Sequence, residues 1–229
     1  MPGVSIIMAV YRNFDTVTRA IESVTNSIAS LEGSGCNQSP VELVAVLDGP
    51  DKKALKIIKQ CQTNFPVRVV ELPSHSGIAA TRNAGVDAAQ MPWITFLDGD
   101  DEFTPGRLLR LATVKHGQIF VGKQKLVWDA RWQNDLSLPL DFIDRGEFHL
   151  SSMLLQRDVF VDLNGLSTDF VLGDDWDFSI RLKEKGVPLI FVEEEFVVRH
   201  VTGTNASINA PQLKADYFKS IRNHLSRRK

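Results

Sequence analysis

Apolar residues crowd the run from Val4 to Val10, and such a run predicts a strand covered on both faces. Val17, Ala20, Ile21, Val24, Ile28 and Leu31 then recur at helical spacing, with Asp15 or Thr16 as N-cap. After a polar stretch with Gly33 and Gly35, Val41–Leu47 predicts a second strand. Ala54, Leu55, Ile58 and Cys61 mark a helix, Val67–Leu72 a third strand, Ile78–Gln90 a helix and Trp93–Leu97 a fourth strand. Farther on, Ser151–Leu155 and Val159–Phe160 have strand and helix character. Leu189–Val192 and Phe196–Arg199 predict two more strands. Alternation at this pitch implies βαβ units, hence an α/β fold with a mostly parallel sheet flanked by helices. Right-handed crossovers place the strand C-terminal ends on one edge, where open α/β sheets bind ligands.

Composition narrows the class. The chain has 229 residues, 43% hydrophobic and 24% charged, which is globular rather than disordered or fibrous. Twenty-six Lys and Arg face 28 Asp and Glu, a formal charge of −2, so a general nucleic-acid binder is not expected. Cys36 and Cys61 form no CxxC pair, which fits a reducing, cytoplasmic setting. The N-terminal apolar run lacks a basic leader and is far shorter than the roughly 20 residues that span a bilayer. The C-terminus is different. Lys214, Lys219, Arg222, Arg227, Arg228 and Lys229 face Asp216 alone, while Leu213, Tyr217, Ile221 and Leu225 interleave at helical spacing. A solvated terminal helix packed by one apolar stripe is the first reading; peripheral contact with anionic lipid heads is the second.

Three polar clusters fall on the expected ligand edge: Asp48-Gly49-Pro50-Asp51, then Ser74-His75-Ser76-Gly77 with Thr81-Arg82-Asn83-Ala84-Gly85, then Asp98-Gly99-Asp100-Asp101-Glu102. Any one of them alone is a turn sequence. Asp98 and Asp100, two apart in extended backbone, would point the same way and repel unless a proton or cation lies between them. Oxygen ligands of this kind suit Mg²⁺ or Mn²⁺. Asp101 and Glu102 are also explained by a helix entering at Pro105, whose N-terminal dipole favours acids. Downstream, Gly173-Asp174-Asp175-Trp176-Asp177-Phe178 opens a helix that stops at Gly186, with Asp174 as N-cap. Asp175 in its first turn would stay ionised and could accept a proton as general base. His200 ends a strand within reach of a ligand. The segment from Gly122 to Phe148, with Trp128, Arg131 and Trp132, reads either as an acceptor loop or as core; Trp176 is the better acceptor platform.

Together, VSIIMAVYRN, AVLDGPDKK, SGIAATRNAG, ITFLDGDDEFTPGRL, SSMLLQRDVF and GDDWDFSIRL resemble, in order, the family 2 glycosyltransferases with the GT-A fold. FLDGDD is similar to the family's FLDSDD, which carries its DXD motif. LDGP is similar to its DDGS, with Leu47 at the first Asp, and GDDW to its EDW, with Asp174 at the Glu. The resemblance spans Val4 to His200. It implies one GT-A domain over residues 1–210, with a basic helix or tail over 211–229. It further implies a donor site bordered by Ala9, Val10, Tyr11, Gly77 and Gly99, with Asp48 on the base and Arg82 and Asn83 near the nucleotide. Asp98 would touch ribose or metal-bound water, Asp100 would ligate Mn²⁺ or Mg²⁺, and His200 would add a metal or diphosphate contact. Asp175 would be the base of a metal-assisted, inverting single displacement, with Asp174 and Trp176 toward the acceptor. The implied partners are a nucleotide-diphosphate sugar, with a UDP-sugar favoured, and a saccharide or lipid-linked acceptor in cell-surface polysaccharide synthesis. Two other readings stay open at this point: a sugar nucleotidyltransferase, and a non-catalytic nucleotide-sugar or carbohydrate-binding protein of the same fold.

Overall fold

The computed structural model describes residues 2–34, 39–113, 115, 117–130, 149–202, 205 and 210–227. Cys36, Arg131, Trp132, Arg228 and Lys229 lie outside the described residues. The first half alternates as its pattern predicts: β1 (Val4–Val10), α1 (Val17–Gly33), β2 (Val41–Leu47), α2 (Lys52–Gln60), β3 (Val67–Glu71), α3 (Ile78–Ala88) and β4 (Trp93–Asp98). The second half comprises β5 (Glu102–Phe103), β6 (Ile119–Trp128), β7 (Met153–Gln156), α4 (Arg157–Asp162), α5 (Asp174–Glu184), β8 (Leu189–Val201) and α6 (Ala210–Arg227). The strands form one sheet in the order β3-β2-β1-β4-β7-β6-β8-β5. β3, β2, β1 and β4 are mutually parallel; β7 runs antiparallel to β4 and β6. β8 is parallel to β6 and antiparallel to β5.

Both faces of the central strands are covered, which is why β1 and β2 read as apolar runs rather than alternations. On one face Ile6, Met8, Leu43 and Leu47 pack with Val24 and Ile28 of α1 and Ile58 of α2. On the other, Ile7, Val44, Val46 and Phe96 pack with Val86 of α3 and with Phe178 and Leu182 of α5. Gly85 lets α3 come down on β1: a Cβ there would press on Ile7 Cγ2 and lie 3.1 Å from Val46 Cγ2.

Several local expectations are corrected. α3 ends at Ala88, two residues early, because the chain turns back onto β1 and β2. Gln90 N–H donates to Glu42 Oε1 (2.6 Å) and Met91 N–H to Ser5 Oγ (3.1 Å). No α-helix enters at Pro105. Tight turns there lead to a 3₁₀ turn at Leu109–Ala112, so a helix dipole does not explain Asp101 and Glu102. The two strands expected around Glu193–Glu195 are one continuous β8. It pairs with β6 as far as Phe191 and again from Glu195, with a bulge or irregularity between, where Lys123 and Arg110 meet Glu193 and Glu194. Gly173, not Asp174, is the N-cap of α5, and Asp174 is already helical. Thr16 is at the N-cap position of α1 but caps nothing, since its hydroxyl donates to Gly99 O (2.7 Å). In α6 the packed stripe is Leu213, Asp216 and Ser220, whereas Tyr217 and Leu225 face outward. Asp216 is buried because Oδ2 accepts from the backbone N–H groups of Val171 (3.0 Å) and Leu172 (2.7 Å). Among the described residues no helix is long and apolar enough to cross a membrane.

Candidate active site

The C-terminal ends of β1, β2 and β4, with the first turns of α3 and α5, wall an open cleft of about 740 Å³. Every donor residue expected from the sequence except Asn83 lines it, together with Asp100, Asp174 and Asp175. Asn83, Trp176 and His200 do not. The Asn83 amide is committed to the backbone of Leu166 in both directions, at 2.8 and 2.9 Å. Trp176 stands edge-on to Tyr217 of α6, with ring centroids 5.0 Å apart. His200 Nε2 lies 2.6 Å from Glu102 Oε1.

One end of the cleft is built by Asp48. Its carboxylate accepts from Ser76 N–H (2.6 Å) and Gly77 N–H (3.0 Å), and His75 Nδ1 lies 2.8 Å from Oδ2. The His75 ring stacks on Tyr11 at 4.2 Å and 20°. Gly49 turns the chain after Asp48 with φ +95°, and a Cβ there would lie 2.9 Å from His75 N, so the two loops meet backbone to backbone. Asp51, from the same sequence cluster, does something else. It accepts from Ala54 N–H (2.9 Å) and caps α2.

The floor is a set of buried carboxylates arranged around two arginines. Arg82 Nη2 is 2.8 and 3.1 Å from the two oxygens of Asp98, and Nη1 is 3.3 Å from Asp174 Oδ2. Burial alone would push the Asp98 carboxyl up, but Arg82, then His149 and Arg199, hold it below its ordinary value. Burial pushes Asp174 up despite Arg82. Asp100 is raised by burial and by the Asp98 charge, and Asp101 is raised well above the usual range by burial, Asp100 and Asp98. Asp101 Oδ1 accepts the backbone N–H of His200 at 3.0 Å, which ties β8 to the floor. Gly99 N–H donates to Ala9 O (3.0 Å), fixing the turn that carries Asp100 against β1.

The sequence reading chose His200 and missed its neighbour. Successive strand residues face opposite sides, and Arg199 is the one that lines the cleft while His200 turns to Glu102. The period-2 rule applied along β8 carries that signal. His149, His75 and Asn205 also line the cleft, and Asn205 Nδ2 donates to Asp100 Oδ2 at 3.3 Å. His75 was visible in its polar cluster but carried no assignment. Asn205 and His149 have no local signal, because loops bring them in. At the far end, Asp175 is buried in the first turn of α5, with Oδ1 accepting from Trp176 N–H at 2.9 Å. Leu213 of α6 closes that wall.

The carboxylates of Asp98 and Asp100 are oxygen donors of the kind a hard divalent cation takes; burial first, and then the Asp98 charge, raise Asp100. Among the described residues no group of three or more His, Cys, Asp or Glu is placed to hold a metal ion. Mg²⁺ or Mn²⁺ at this turn would be held by the two carboxylates, with water and substrate oxygens completing its shell. His200 Nε2 is engaged with Glu102, beside this turn.

The model of the glycosyl transferase family 2 domain matches residues 5–118. The chain is 32% identical over 117 residues to the succinoglycan biosynthesis protein ExoO of Rhizobium meliloti, covering 48% of this chain and 29% of that protein. It is 24% identical over 190 residues to the uncharacterized glycosyltransferase YwdF of Bacillus subtilis, covering 78% and 67%. The chain thus spans between about a third and two thirds of the length of these curated relatives. Among solved structures, S. aureus TarS 1–349 in complex with UDP-GlcNAc superposes over 97% of this chain and 65% of that one, with TM-score 0.73 and 15% identity. The complex of the same segment with UDP gives 0.69. At that identity the likeness shows the fold, and it is the GT-A architecture that the sequence implied.

Proposed function

This chain belongs to glycosyl transferase family 2, and on that premise we propose that it transfers a glycosyl group from a nucleotide-diphosphate sugar to an acceptor hydroxyl, with inversion. The donor lies along the cleft, its base toward Asp48 and Tyr11 and its diphosphate over the Asp98–Asp100 turn. A UDP-sugar is the favoured donor, because the TarS neighbours hold UDP and UDP-GlcNAc in the same fold. The acceptor is a saccharide or lipid-linked hydroxyl in cell-surface polysaccharide synthesis; one relative is named for succinoglycan biosynthesis. Asp98 and Asp100 would hold Mg²⁺ or Mn²⁺, which compensates diphosphate charge when bound.

The observation that carries this reading is the separation of roles within one carboxylate cluster. Arg82 pairs with Asp98 and Asp174 and offsets part of their charge, and Asp175, at the positive end of α5 and on the cleft wall, would take the proton. The acceptor oxygen attacks the anomeric carbon from the Asp175 side as its proton passes to Asp175. The bond from that carbon to the diphosphate oxygen breaks, and the electron pair leaves with the diphosphate. Arg199 adds positive charge beside the leaving group, and His149 lines the same cleft. The basic outer face of α6, where Phe218 and Leu225 are exposed beside Lys214 and Arg222, supports peripheral contact with anionic lipid close to the cleft. Calorimetric titration with UDP-, GDP- and TDP-sugars, with and without Mn²⁺, tests the donor assignment. Metal-enhanced binding of one of them is expected, and no binding of any nucleotide sugar overturns it.

A further inference from the structure

Asp48 already holds, in this structure, the contacts a nucleobase would make with it. Three donors converge on its carboxylate. Two are backbone N–H groups of a loop fixed by the close approach of Gly49, and the third is the imidazole of His75, 57% exposed at the side chain. With Nδ1 protonated, His75 donates to Oδ2 at 2.8 Å while its ring lies on Tyr11 at 4.2 Å. A planar aromatic ring, one ring N–H aimed at a buried carboxylate and one face on a tyrosine are together the recognition chemistry of a base such as uracil. His75, Tyr11, Arg12, Val10 and Asp48 line both the main cleft and an adjoining lobe of about 220 Å³, so the imidazole stands at the mouth of that lobe.

We propose that His75 is a resident stand-in for the nucleobase, displaced when the donor binds, and that it thereby sets both the affinity of the site and its preference among bases. The inference rests on the donor-site reading of Asp48 and Tyr11 given above. Displacement exchanges hydrogen bond for hydrogen bond and stack for stack, so the incoming base gains little net energy at this end. Apparent affinity is reduced by the fraction of molecules in which the imidazole is out of the way. A base with a ring N–H next to a carbonyl replaces the His75 contact in kind. A base without one leaves Asp48 short of a donor and is disfavoured. The backbone N–H groups of Ser76 and Gly77 are held by Asp48, so the His75 side chain alone has to swing.

Titration of the whole chain with UDP in the presence of Mn²⁺, for the native protein, His75→Ala and Asp48→Asn, tests this. His75→Ala is expected to bind UDP on the order of tenfold more tightly, since no imidazole has to leave. The His75 ring-proton resonances of the native protein are expected to shift on saturation with UDP. Equal or weaker UDP binding by His75→Ala overturns the proposal. If Asp48→Asn loses UDP affinity at the same time, the donor-site reading survives and this inference alone is lost. If none of the three proteins binds UDP, both are lost.

Discussion

Arg82 and Asp98 form a two-point ion pair, with Nη2 2.8 and 3.1 Å from the two carboxylate oxygens, and the same guanidinium reaches Asp174 at 3.3 Å. One side chain therefore joins α3, the end of β4 and the start of α5 beneath the cleft. The charges of Asp98, Asp174 and Asp175 hold the guanidinium firmly protonated against the opposing pull of its burial. The arrangement sets one positive charge against much of an acidic floor, with Asp175 also close enough to act on the guanidinium.

Removing the shared cation takes the main counter-charge from buried Asp174 and from partly buried Asp98. Arg82→Ala is expected to destabilise the fold by about 3–5 kcal/mol, the range for breaking a buried pair. Urea denaturation at neutral pH reads this directly. Adding Asp174→Asn should recover part of the loss, because one of the orphaned charges is then gone; an additive double variant would argue against the bridge.

The floor carboxylates titrate in opposite senses. Asp98, held below 3.8 in the fold, contributes stability that is complete above 3.8 and lost as pH falls through its folded value. Asp101 lies well above 3.8, so the folded chain binds that proton more tightly. Its contribution makes stability rise as pH falls from neutral through the folded value, levelling off near 3.8. Asp101→Asn should therefore be flatter than the native protein in the slope of unfolding free energy between about pH 7 and about pH 4. Parallel slopes would contradict the assignment.

Asp175→Asn keeps the size and the first-turn position of the side chain but cannot take a proton. Transfer to acceptor is expected to fall by about 10²–10⁴-fold. Affinity for the donor should stay within about twofold, since no donor contact is assigned to this residue. A variant with near-native turnover would remove Asp175 from the role of base.

Gly85→Ala sets helix propensity against packing. Alanine in a helix interior gains about 1 kcal/mol over glycine, yet here its Cβ meets Ile7 and Val46 in the covered sheet face. Overpacking of this kind costs about 1–3 kcal/mol, so a net loss of about 1 kcal/mol is expected in thermal or urea unfolding. A stabilised variant would show that α3 can lift from β1 freely, and with it Arg82.

The alternation of β1 to β4 with α1 to α3 was legible along the chain because each signal is local. Two-sided burial erases polar positions from a strand, and a half-buried helix repeats every three to four residues. The clusters at Asp48, Arg82, Asp98 and Asp175 were legible for a related reason, since strand ends and helix starts fall where the periodicity breaks. Other features depend on partners far along the chain. Glu193–Glu195 looked like an interruption, and the pairing with β6 is irregular there, yet β8 continues because β6 pairs with it on both sides, up to Phe191 and again from Glu195. His200 looked like the ligand, but its pairing with Glu102 and the alternation of β8 present Arg199 instead. Asp48 could be placed on the ligand edge from its position after β2. That its carboxylate is already met by His75, across a separate loop and beside Tyr11, follows only when three loops converge. Local patterning specifies which segments are strands, helices and turns, because burial and hydrogen bonding within a segment repeat with its own period. Which buried charge faces which depends on how the crossovers bring distant strand ends to one edge, and there a single arginine can hold carboxylates from two well-separated segments, Asp98 and Asp174.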